Sequence, residues 1–89
     1  MSQRSISALS NFYHANHKDG KYNVRYNNIN LGLVDIYFHY QSNKWVIVLS
    51  ELPIEVDDKV FDTNGKISYN KSQNILTINQ YGINLEIYP

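Results

Sequence analysis

The chain has 89 residues and a mass of 10.4 kDa, eight Lys and Arg against eight Asp and Glu, and no cysteine. That length accommodates one domain, residues 1–89, built on one small core. The balanced charge argues against a protein that works mainly by gripping a nucleic acid backbone, and the missing cysteine excludes disulfides, thiolate nucleophiles and Cys-ligated zinc.

No apolar run approaches the roughly 20 residues that span a bilayer, and residues 1–13 are too polar for a signal peptide. The expectation is a soluble cytoplasmic protein with no membrane partner. Twelve Asn, ten Ile and eight Tyr against two Ala are the usage that AT-rich codons produce. The β-branched and aromatic excess also favours strands.

In chain order, the first element is a helix over about residues 3–18. Ile6, Leu9, Phe12 and Tyr13 recur at helical spacing on one stripe, with Arg4, Asn11 and Lys18 opposite. Ser2 or Ser5 suits its N-cap, because a serine oxygen accepts an otherwise unpaired N–H of the first turn. Gly20 suits the left-handed residue that follows a helix.

From about residue 21 to 88 the pattern is strands and turns. Tyr22, Val24 and Tyr26 alternate with Asn23, Arg25 and Asn27, the period of a half-buried strand. The Asn-rich residues 27–30 read as a turn. Residues 31–40 and 44–50 then form a hairpin around Ser42-Asn43. In that register Tyr40 faces Trp45, Phe38 faces Ile47 and Ile36 faces Leu49, a wholly apolar side suited to meet the helix.

Leu52-Pro53 ends that strand, and residues 55–62 read as an acidic edge strand. Asn64-Gly65 suits a type I′ turn, both residues tolerating positive φ. A turn over residues 71–74 puts Ile67 opposite Ile78 and Tyr69 opposite Leu76. Tyr81-Gly82 closes a last hairpin with Ile78 opposite Leu85, Leu76 opposite Ile87 and Thr77 opposite Glu86. The fold class these elements imply is α+β: an N-terminal helix packed on one face of a five- to seven-stranded antiparallel β-meander.

Three surfaces offer function. The parity that buries Phe38 and Ile47 sends Tyr37, His39, Val46 and Val48 to the other side of the sheet, with Asp35 and Ser50 at its end. An apolar patch that also carries a hydroxyl and an imidazole suits a protein partner.

Charge divides unevenly: residues 1–45 carry five cations and two acids, and residues 46–89 three cations and six acids. Lys18, Lys21 and Arg25 with Tyr22 or Tyr26 therefore form a candidate phosphate-and-stacking site for single strands. His14 and His17, three apart on the helix, with His39 from the sheet, form a candidate metal site, and three protein ligands are the minimum for catalytic zinc.

The acids Glu51, Glu55, Asp57, Asp58 and Asp62 do not match a calcium loop, because Val60 stands where its first Asp belongs. A charged edge that discourages sheet-to-sheet aggregation accounts for them. No Gly-x-Ser-x-Gly elbow or Gly-rich phosphate loop occurs.

The sequence thus leads to a small non-enzymatic protein-binding module without a cofactor, of inhibitor, adaptor or immunity type, with the composition of a phage or mobile-element protein. It would act on another protein, or on a second copy as a homodimer, through Tyr37, His39, Val46, Val48 and Asp35. Single-stranded nucleic acid is the second expectation, and a metal or small ligand at the histidines the third.

Overall fold

A computed structural model describes residues 3–16 and 19–89. One helix, α1 (Gln3–Asn16), precedes seven strands: β1 (Gly20–Tyr26), β2 (Ile29–Gln41), β3 (Lys44–Ser50), β4 (Val60–Asp62), β5 (Lys66–Asn70), β6 (Ile75–Gln80) and β7 (Ile83–Tyr88). The fold is α+β, with the helix packed on a curled antiparallel sheet in the spatial order β4-β3-β2-β1-β7-β6-β5. Two meanders, β1–β4 and β5–β7, are joined where β1 pairs with β7.

Local chemistry makes the hairpins. Asn27-Asn28, Ser42-Asn43 and Tyr81-Gly82 all have positive φ at both turn residues, the signature of the type I′ turn that matches strand twist. The β2–β3 register is the one the sequence implies, with Tyr40 opposite Trp45, Phe38 opposite Ile47 and Ile36 opposite Leu49. The β5–β6 and β6–β7 pairings hold likewise.

Inward residues of the strands meet one stripe of α1. Leu9 and Phe12 are fully buried among Tyr22, Val24, Ile36, Ile47, Phe61, Leu76 and Leu85. The Phe12 ring lies 5.7 Å from Tyr22, 6.0 Å from Phe38 and 5.6 Å edge-on from Tyr69, distances at which aromatic pairs attract beyond simple burial. Tyr13 extends the cluster to Trp45 at 5.1 Å.

The helix is described to Asn16, and Ser2, His17 and Lys18 lie outside the described residues. Other local expectations change. Ser5 stands inside α1 and pins the helix to the edge of β5: its hydroxyl donates to the Gly65 carbonyl at 2.8 Å and accepts the Ile67 N–H at 3.1 Å. Gly20 does not follow the helix as a cap but opens β1 opposite Ile36 at φ 145. Of the acidic stretch, only Val60–Asp62 is strand.

Asn64-Gly65 is not a type I′ hairpin, and neither residue has positive φ. Thr63, Asn64 and Gly65 instead carry the chain from β4 to β5, at opposite ends of the strand order. So short a link requires the sheet to curl until its two edges approach. Gly65 is needed here because a Cβ would stand 2.8 Å from the Gln80 Cβ and 3.1 Å from the Asn79 carbonyl oxygen. Thr63, fully buried beside it, has no hydrogen-bond partner for its hydroxyl among the described residues.

Removing a satisfied and an unsatisfied buried hydroxyl should therefore have opposite effects. Ser5→Ala should cost about 1–3 kcal/mol, because it strands an N–H and a carbonyl at a buried strand edge. Thr63→Val, the same shape without the unpaired oxygen, should be neutral or stabilising. Urea unfolding of the two variants checks this, and a larger loss for Thr63→Val would contradict it.

Candidate functional site

Strand alternation places three cross-strand rows on the outer face of β1 to β4. Val60, Val48 and Tyr37 lie side by side across β4, β3 and β2. Asp62, Val46 and His39 form the row on one side, and Ser50, Asp35 and Lys21 the row on the other. Tyr37 and His39 stack, with ring centroids 6.5 Å apart and planes within 19°.

This strip faces outward in the single chain. Tyr37 is 41% exposed and Val60 47%, while Val46, Val48 and Asp35 are half-buried by their neighbours on the sheet. Leu33, two residues before Asp35 on the same side, is 61% exposed. The segment after β3 does not cover the strip: its Leu52 and Val56 pack on the inner core.

Ion pairs border the strip. Lys21 reaches Asp35 at 3.3 Å and Lys44 reaches Asp62 at 3.3 Å. Asp62 also accepts Gln80 Nε2 at 2.7 Å and the Asn64 N–H at 2.9 Å, and its own N–H donates to Gln80 Oε1 at 2.9 Å. This exchange ties β4 to β6 across the open side of the curl. Partial burial alone would raise the Asp62 pKa, but the hydrogen bonds from Gln80, Asn64 and Lys44 and the Lys44 charge outweigh it and hold the carboxyl below its usual range.

The proposed stacking site for single strands does not assemble. Tyr22 and Tyr26 are buried on the inner face, because they alternate in phase with Val24 and join the core. Lys21 and Arg25 are exposed, but each is paired with a carboxylate, Arg25 with Glu86 at 3.4 Å. Lys18 lies outside the described residues.

His14 and His39 are not brought together either. His14 is exposed on α1, on the inner side of the sheet, and His39 is exposed on the outer side, so the sheet stands between them; His17 lies outside the described residues. Among the described residues no three His, Cys, Asp or Glu side chains converge on a metal-sized site, and no helix is long and apolar enough to cross a membrane.

No known family model, curated protein or solved structure matches this chain.

A second cluster of exposed apolar groups went unread in the sequence. Ile29, Ile54 and Tyr81 gather at one end of the curl, beside Glu55 and Asp57. The three come from separate turns, 25 or more positions apart, so no periodicity relates them. The available signal was that bulky side chains sit at or beside turns, where none is needed to make the turn.

The Asp62 contacts give a test. A carboxyl with a depressed folded-state pKa adds stability above its unfolded value, and that contribution is lost as pH falls through the folded-state pKa. The fold should therefore weaken as pH drops below about 3.8, the ordinary value for this group. Asp62→Asn should lose less stability than the parent chain over that fall, each measured against its own neutral-pH value. Identical acid profiles in thermal unfolding would contradict the assignment.

Proposed function

We propose that this chain is a small non-enzymatic protein-binding module that docks another protein, or a second copy of itself, on the outer strip of β2–β4. The observation that carries this reading is the exposed row Val60–Val48–Tyr37. Strands that are buried on one side usually present polar groups on the other. Here three adjacent strands present apolar and aromatic groups instead, and the single helix is occupied on the inner side.

The chemistry of the strip suits a docking surface. Tyr37 combines contact area with a hydroxyl, and such residues carry much of the binding energy at interfaces. Val46, Val48 and Val60 supply flat aliphatic area, and His39 adds a polar contact. The pairs Lys21–Asp35 and Lys44–Asp62 form a rim with both signs of charge, which orients a partner more than it holds one. An inhibitor, adaptor or immunity-type protein, including one from a mobile element, uses such a surface without any cofactor.

Tyr37→Ala should separate binding from folding. The chain is immobilised as bait, and each retained protein is measured again with the variant. Sedimentation of the free chain covers self-association. Tyr37→Ala should weaken the specific interaction by more than about tenfold and leave the thermal midpoint nearly unchanged. Retention by both baits alike, or a loss of stability matching the loss of binding, would overturn the reading.

A further inference from the structure

The end of the curl formed by the β1–β2 turn, the β6–β7 turn and residues 54–58 holds a groove of about 390 Å³. Its floor is apolar: Tyr26 and Ile83 are buried there. Its walls include Ile29 and Tyr81, 52% and 57% exposed, and Ile54. Three of the seven large hydrophobic side chains left exposed among the described residues thus converge on one concavity.

The walls are tied in place. The Tyr26 hydroxyl donates to the Asp58 carbonyl at 3.5 Å. The Asn27 N–H donates to the Asn84 carbonyl, and the Asn84 N–H to Asn27 Oδ1, both at 2.8 Å. The Tyr81 ring leans on Phe61 with centroids 5.9 Å apart. A groove held in this way needs little ordering to receive a ligand, which favours affinity.

Charge decides the occupant. Glu55, Asp57 and Asp58 line the groove, and no Lys, Arg or His does. None of the three carboxylates is in an ion pair among the described residues, whereas Asp35, Asp62 and Glu86 elsewhere on the sheet all are. A groove with an apolar floor, edged by carboxylates outside any ion pair, fits a side chain with an aliphatic stem and a cationic head. The exposed Tyr81 ring adds a surface on which such a cation can rest.

We propose that this groove binds a lysine or arginine side chain of a partner protein. The site is separate from the outer strip, and it gives the partner a chemical character: a basic residue flanked by apolar ones. Anionic ligands, nucleic acid included, are repelled by the same carboxylates.

The test is a chemical-shift titration of the isotope-labelled full chain with two blocked peptides, acetyl-Leu-Arg-Leu-amide and acetyl-Leu-Glu-Leu-amide. The arginine peptide should shift the amides of residues 54–58 and 81–83, and the glutamate peptide should not. The double variant Glu55→Gln, Asp57→Asn changes two exposed side chains and should fold as the parent does. It should weaken the arginine peptide by about five- to tenfold, the effect of removing two partly solvated charge contacts. No shift at these residues up to the solubility limit, equal shifts with both peptides, or undiminished binding by the double variant would each overturn the proposal. Shifts confined to Tyr37, Val46 and Val48 would overturn it too, while favouring the outer strip as the docking surface.

Discussion

Each strand of this sheet has two sides, and a single 14-residue helix supplies the layer that packs against it. That imbalance governs the molecule. The sheet curls so that one helix can cover its inner side, with Phe12 reaching Tyr22, Phe38 and Tyr69 at once. The curl brings the edge strands near enough for three residues to join β4 to β5, and Ser5 then satisfies backbone groups that β5 would otherwise leave open. An open strand edge invites pairing with other chains, so the helix both fills the core and blunts an edge. Among the described residues nothing comparable lies over the outer side of β2–β4, where Val60, Val48 and Tyr37 stand in a row.

What the sequence revealed follows from how local the deciding interaction is. The β2–β3 register was legible because the loop at Ser42-Asn43 fixes it and parity then places every side chain from Tyr37 to Val48. The pairing of β1 with β7 was not, since these strands are more than 50 positions apart and no turn specifies their partnership. Asn64-Gly65 misled because its local preference for a hairpin yields to tertiary packing, the contact of Gly65 with Gln80. Tyr22 and Tyr26 were open to correct reading: in phase with Val24, they belong to the side that a core requires.

Electrostatics shows the same difference between chain order and space. The first half of the sequence is basic and the second acidic, which suggests a two-ended molecule. In the fold, Lys21 meets Asp35, Arg25 meets Glu86 and Lys44 meets Asp62, and two of these three pairs join the two halves. Exposed pairs of this kind add little stability. Their larger effect is to neutralise Lys21, Arg25 and Lys44, while Glu55, Asp57 and Asp58 near the β1–β2 and β6–β7 turns are in no ion pair among the described residues.

The account depends most on the inside-outside assignment of β2, β3 and β4 in a single chain. Its most direct measurement is paramagnetic relaxation of side-chain signals by an inert, soluble gadolinium chelate, at a dilution where sedimentation shows a monomer. Strong broadening of Tyr37, Val48 and Val60, with Phe38, Ile47 and Phe61 spared, is the predicted result. Equal protection of Tyr37 and Phe38 in the monomer would contradict it.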